Sequence, residues 1–294
     1  MPEKVFTLED LRNWARPVAS FAVVGKPIAH SLSPKMHNAA FAKFLPGENA
    51  EYFKFEIAPE QLGDALSLFF EKNFRGLNLT IPHKVIALPF LKKISPAAEI
   101  IGATNTLSRD DALGGFRGGN TDGEGFRRAA ENALACTLAG ADIVLLGAGG
   151  AARAIAATAL ANKCASLTIA NRSREKADAL ADAMRKHFPS AKIFCADAKN
   201  VSVENSLLVN ATSLGLARED PSPFPPENLH GIAAVYDTTY GAHESALVSA
   251  ARARGIPASD GREMLAWQGA LAFEIWNGVP AEQTAPVMRE AARV

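Results

Sequence analysis

Cysteine is scarce in this chain, with three among 294 residues. Cys136, Cys164 and Cys195 are odd in number and far apart, which excludes a disulfide framework and a CxxC metal site. The six histidines show no HExxH or other ligand spacing, so no metal is expected. Charge of one sign is lacking too: 31 Lys and Arg balance 31 Asp and Glu. That balance speaks against nucleic acid as a partner, and without a charge block nothing suggests a disordered tail. No apolar run approaches the length that spans a bilayer. The opening stretch MPEKVFTLEDLRNWARP is too charged and interrupted to form the apolar core of a signal peptide. The expectation is a cytoplasmic protein with no membrane partner.

What is present has the balance of a globular protein, 48% apolar and 21% charged, and the length of two ordinary domains. FAVVG (21–25) reads as a buried strand and SPKMHNAAFAKF (33–44) as a helix. Ser33 is its expected N-cap and Pro34 its first helical residue, with Met36, Ala40, Phe41 and Phe44 on one face. YFKFEI (52–57) alternates like a strand, PEQLGDALSLFFEKN (59–73) is an amphipathic helix, and GLNLTI (76–81) is the next strand. This alternation predicts βαβ units and a parallel sheet. Residues 95–123 break the rhythm: their glycines and the RDD turn predict a hairpin and then a loop, with 114–123 the expected hinge. A second series follows, with helices at 124–135, 151–162 and 174–188 and strands at 142–148, 166–172, 192–196, 207–212 and 233–238.

IVLLGAGGAARAIAA places Gly147-x-Gly149-x-x-Ala152 between a buried strand and a helix. In that context Gly147 makes the tight turn, and Gly149 admits a pyrophosphate to the backbone N–H groups that open the helix. The following strand ends in Asn171, Arg172 and Ser173, with no carboxylate before Glu175. A carboxylate there would accept from a ribose 2′-hydroxyl and repel a phosphate, whereas Arg172 pairs with a 2′-phosphate and Lys176, expected one helical turn beyond it, adds a second charge. NADP is therefore the expected cofactor.

Several polar positions remain that folding does not require. Ser31 and Ser33 in HSLSP, and Asn78 and Thr80 in LNLTIPHK, are each spaced to face one way in an extended segment. Lys84 follows the proline that stops the same strand. Asn105 lies in GATNT, Asp122 in GGNTDG, and Gln268 in a helix whose other faces carry Met264, Leu265, Leu271, Phe273 and Ile275. A lysine and a carboxylate are residue types that can stabilise and protonate an oxygen gaining charge.

The segments GKPIAHSLSPKMHN, GLNLTIPHK, GATNT, NTDG, GAGGAARA, NRS, NATSLGL, YDTTY and DGREMLAWQGALAFEIW stand in the order of the shikimate dehydrogenase family, which the chain resembles from about residue 21 to 280. The resemblance implies an α/β substrate domain over 1–121, completed by 262–294, a Rossmann NADP domain over 122–261, and a cleft between them. It implies that Lys84 and Asp122 are catalytic, and that Ser31, Ser33, Thr80, Asn105, Tyr240 and Gln268 hold the substrate, with Asn78 alongside. Gly147, Ala148, Gly149, Gly150 and Ala151 match the dinucleotide loop, and Asn171, Arg172 and Ser173 the 2′-phosphate clamp. Thr238 and Gly261 match the nicotinamide end. The partner implied is shikimate or 3-dehydroshikimate, bound by a monomer or homodimer. His37 and His83 carry no role in this reading. The chain departs from the family at Ala242 and Ser245, where a Pro after the tyrosine and a later Thr are common, and at Arg262 and Glu263, in a stretch commonly smaller and glycine-rich. Two other readings stay open: a quinate/shikimate dehydrogenase paralog using NAD or NADP, and a dinucleotide sensor without turnover.

Overall fold

A computed structural model describes residues 4–197, 201–202 and 204–293. Its backbone forms two compact units: the chain up to Thr121 together with Ala266–Arg293, and Asp122–Leu265.

The first unit begins with strand β1 (Val5–Phe6) and helix α1 (Leu8–Arg12), which the apolar pattern does not announce. Strand β2 (Ala19–Gly25), helix α2 (Ser33–Phe44), β3 (Ala50–Glu56), α3 (Leu62–Glu71) and β4 (Gly76–Leu79) then alternate as the sequence predicts. They lead to the one-turn helix α4 (His83–Ile86), β5 (Lys93–Ile94), α5 (Pro96–Ile101) and the hairpin of β6 (Thr106–Asp110) and β7 (Gly115–Gly119).

The strands lie in the order β1-β3-β2-β4-β6-β7-β5. The sheet is mixed rather than parallel: β6 runs antiparallel to β4 and to β7. Ser95 caps α5, and Gly102 ends it in the left-handed region at φ 65°, from which the chain enters β6. Strand β4 also stops at Leu79, so Thr80 lies beyond it and not on it.

Helix α6 (Asp122–Leu134) opens the second unit. It is followed by β8 (Asp142–Leu146), α7 (Gly150–Ala161), β9 (Ser166–Ala170), α8 (Arg174–His187), β10 (Ile193–Ala196), β11 (Leu207–Asn210), β12 (Ala234–Asp237), α9 (Ala246–Arg252) and β13 (Ala258–Ser259). Their order, β10-β9-β8-β11-β12-β13, is the doubly wound order of a Rossmann sheet, and every pairing is parallel. In such a sheet the order reverses between β8 and β11, and ligands bind beyond the carboxyl ends of the strands there.

Helices α10 (Arg262–Asn277) and α11 (Ala281–Ala291) end the chain. In α10, Met264, Leu265 and Phe273 are buried, but Ile275, expected on an apolar face, is 55% exposed.

The first unit has aromatic packing on both faces of its sheet. Phe69 meets Phe74 edge-on at 4.8 Å, and Trp14 meets Phe53 in the same way. Elsewhere His37 stacks on Tyr52 at 4.2 Å, and Phe41 packs on Phe273. Gly76 leaves the space that Trp276 fills, since a Cβ there would lie 2.4 Å from its ring. Among the described residues no helix is long and apolar enough to cross a membrane.

Candidate active site

Lys84 is delivered by a tightly tied turn. Strand β4 ends, His83 N donates to the Thr80 carbonyl at 2.7 Å, and α4 begins. Thr104 N donates to the Lys84 carbonyl at 2.7 Å, which fixes the backbone from which the half-buried side chain extends. His83 is held differently: its Nε2 donates to the Ile57 carbonyl at 2.9 Å, and burial lowers its pKa. The ring is wholly buried and bonded to the backbone.

The loop after β2 lies against this turn. Thr80 N donates to the Val24 carbonyl and Lys26 N to that of Ile81. Gly25 permits the approach, since a Cβ there would come within 2.3 Å of the Thr80 methyl. Ser31 follows on the same loop, and Ser33 opens α2.

Ser33 is not the N-cap of α2. It is the first helical residue, the cap position is Leu32, and no side chain caps the helix. The two serines are therefore not on one extended segment; instead Ser33 N donates to Ser31 Oγ at 3.3 Å. The Ser33 hydroxyl is buried and not consumed as a cap. Lys54, a cation within β3, donates to the Ala29 carbonyl at 3.0 Å and braces the loop from below.

Asn78, Asn105 and Gln268 come together in one buried network. Asn105 Nδ2 donates to Thr121 Oγ1 at 3.0 Å and to Gln268 Oε1 at 3.4 Å, and its Oδ1 accepts from Thr121 N at 2.8 Å. Asn78 Oδ1 accepts from the Tyr52 hydroxyl at 2.7 Å, and its Nδ2 donates to the Asn105 carbonyl and to Thr106 Oγ1. Protein groups thus engage both ends of the Asn78 amide, which makes it a brace for Asn105. The sequence reading misses Tyr52, Thr106 and Thr121, because their partners lie up to 28 residues away along the chain.

In the second unit the β8–α7 turn has the form a pyrophosphate needs. Gly147 adopts φ 112°, and a Cβ on it would lie 2.8 Å from the Ala211 carbonyl oxygen. Gly149 caps α7, and a Cβ there would meet nothing within 4 Å. Gly150 and Ala151 open the helix, no acidic residue lies in its first turn, and no side chain occupies its N-terminal N–H groups. Ala148 is half-buried at the crest. The residues present therefore fit a dinucleotide: the backbone donors face open space beside the strand order's reversal.

Beyond β9, which ends at Ala170, Asn171 Nδ2 donates to the Ser173 carbonyl at 2.9 Å and closes the turn into α8. Arg172 is exposed and lies before α8, so Lys176 does not follow it by one helical turn. No ion pair among the described residues engages Arg172. Ser173 Oγ donates to Glu175 at 2.7 Å, and this bond holds the carboxyl below its usual range.

Thr238 and Tyr240 follow in sequence a carboxylate that the sequence reading passes over. Asp237 is wholly buried. It accepts from Asn210 Nδ2, Thr239 N and Thr239 Oγ1 at 2.8–2.9 Å, and from Ser245 Oγ at 2.6 Å. Burial raises its pKa, and the Ser245 bond is the largest of those that oppose the rise. Ser245 also caps α9, so a serine serves where the family commonly has threonine. Gly261 lies against the Thr238 backbone, with no room for a Cβ. Burial first, and the charge of Asp122 second, push the Tyr240 hydroxyl up to about 12, so it is protonated at neutral pH. Asp122 itself is buried at the start of α6. Among the described residues no cluster of His, Cys, Asp or Glu could hold a metal.

Three family models match the chain. They are described as shikimate dehydrogenase substrate binding domain over residues 23–107, shikimate/quinate 5-dehydrogenase over 128–215, and shikimate 5′-dehydrogenase C-terminal domain over 261–293. The chain is 40% identical over 277 residues to a shikimate dehydrogenase (NADP(+)) of Moorella thermoacetica, covering 92% of each. Among solved structures it is similar to shikimate 5-dehydrogenase from Thermus thermophilus in complex with NADP(H) and shikimate, with TM-score 0.79 and 37% identity over 93% of this chain and all of that one. It is also similar, at 28% identity and TM-score 0.80, to quinate dehydrogenase from Corynebacterium glutamicum in complex with NAD, covering 93% of this chain and 99% of that one.

Proposed function

The chain belongs to the shikimate dehydrogenase family, and from that premise we propose that Lys84 and Asp122 are its catalytic pair. The enzyme is an NADP-dependent oxidoreductase that interconverts 3-dehydroshikimate and shikimate, a step of aromatic amino-acid biosynthesis. NADPH supplies the hydride to the ring ketone. The protein must then neutralise the oxygen that gains charge. An ammonium at Lys84 stabilises that oxygen and passes it a proton, and the Asp122 carboxylate favours the charged amine. Ser31, Ser33, Thr80, Asn105, Tyr240 and Gln268 orient the substrate carboxylate and hydroxyls. Gly147–Ala151 receive the pyrophosphate, Arg172 with Asn171, Ser173 and Lys176 the 2′-phosphate, and Thr238 and Gly261 the nicotinamide. The proposal places the reaction in the cytoplasm.

The observation that carries this assignment is the β4–α4 junction, where backbone hydrogen bonds fix the segment bearing Lys84. A solvated loop lysine requires no such support. Replacing Lys84 with Met should lower kcat on the order of a hundred- to ten-thousand-fold while shikimate still binds. The measurement is initial rate by nicotinamide absorbance beside calorimetric shikimate affinity. A Lys84→Met enzyme within about tenfold of the parent in kcat would remove the lysine from the mechanism. The quinate paralog is not favoured: the free guanidinium of Arg172 suits a phosphate, and the NAD-bound quinate enzyme is the more distant relative.

A further inference from the structure

Arg262, one of the positions where the chain departs from its family's pattern, touches Gly241, the residue that follows Tyr240. Tyr240 lies in the loop between β12 and α9, and its hydroxyl has no hydrogen-bond partner among the described residues. Its position is set by the backbone on either side. On the upstream side Thr239 is held three ways: Asp237 accepts from its N–H and its hydroxyl, and Gly261 N donates to its carbonyl at 2.9 Å. On the downstream side stands Gly241, the residue type with the most backbone freedom. A Cβ at Gly241 would meet only the His243 ring, at 3.7 Å, so packing does not confine it.

One side chain does. Arg262 Nη2 donates to the Gly241 carbonyl at 2.7 Å across 21 residues of sequence. Asp260 orients the guanidinium, with its carboxylate 3.4 Å from Nη1, and accepts from Arg262 N at 3.0 Å. The Nε of Arg262 is buried without a partner, so the bond to Gly241 is what this placement of the side chain secures. Gly241 and Arg262 are thus two halves of one device, a glycine backbone that packing leaves unconfined and the planar donor that holds it.

Resting on the reading of Tyr240 as a substrate contact, we propose that Arg262 is a positioning residue for the hydroxylated ring acid: it fixes the Gly241 carbonyl and thereby the place of Tyr240. The test is steady-state kinetics on the purified full chain, with shikimate and NADP varied in turn, for Arg262→Met, Arg262→Lys, Tyr240→Phe and the double variants. Arg262→Met should raise the shikimate KM on the order of tenfold, because a small displacement of a positioning group is amplified in binding, while the NADP KM stays within about twofold. Arg262→Lys should recover little, since an ammonium lacks the planar fork. Adding Gly241→Ala to Arg262→Met should recover part of the loss, because a Cβ fits there and narrows the backbone. In the Tyr240→Phe background Arg262→Met should add little. Equal changes in both KM values, a lowered melting temperature with no kinetic change, or full additivity with Tyr240→Phe would overturn the proposal. If Tyr240→Phe alone leaves the shikimate KM unchanged, the reading of Tyr240 falls and the proposal with it.

Discussion

His37 shows how one side chain can carry a pH response with no part in the chemistry. It is wholly buried against Tyr52, neither ring nitrogen has a partner, and burial holds its pKa down to about 3 from 6.5. The folded state therefore keeps His37 neutral where the unfolded chain would protonate it. For a group whose folded pKa is depressed, stability is fully present above the unfolded pKa and is lost as pH falls below it. Burial lowers the His83 pKa as well, so it acts in the same direction. As pH falls from about 6.5 to about 5, His37 alone should make stability drop by as much as about 1.4 kcal/mol per pH unit. A His37→Phe variant should lose one proton's share of that slope, as melts at stepped pH would show. An unchanged slope would mean that the ring is protonated in the folded state. Ser33 makes a different point at the same scale. Its serine-proline signature reads as a cap, but the cap position is one residue earlier, and no local pattern distinguishes a cap from a buried hydroxyl that caps nothing.

At the scale of elements, the glycine turn between β8 and α7 separates two roles that one motif combines. Gly147 is required by the backbone, at φ 112° and against the Ala211 carbonyl. Gly147→Ala should cost about 1–3 kcal/mol of stability and distort the turn. Gly149 has open space where a side chain would go, so Gly149→Val should leave the melting temperature nearly unchanged. It should weaken NADP binding at least about tenfold, because in the proposed site the branched side chain would stand where the pyrophosphate approaches. Calorimetric NADP affinity beside thermal melts checks both, and a Gly149→Val protein with parental affinity would remove this turn from the cofactor site. The motif was legible because its grammar is local: a buried strand, a tight turn and a helix within a few residues. The alternating strands and helices were legible for the same reason. Helix α5 was not, since its six residues sit among loop-like glycines and are set by the Ser95 cap and Gly102. The network around Asn105 was only half legible, because strand neighbours and a helix 163 residues away complete it. Asp237 escaped notice in YDTTY, since only burial shows that four donors converge on it.

For the whole molecule, the issue is which substrate and which cofactor the two units serve. Arg172 stands exposed beyond β9 without an ion pair among the described residues. Replacing it with Ala should lower kcat/KM for NADP about ten- to a hundredfold and leave NAD almost unaffected. The parent's preference should also weaken as salt rises, because the exposed charge is screened. The most direct measurement of the central claim is the initial rate of nicotinamide reduction by the purified protein, offering shikimate or quinate, each with NADP or NAD. Fast turnover with shikimate and NADP, and slow turnover in the other three combinations, is the predicted result. Comparable turnover with quinate or with NAD would contradict it.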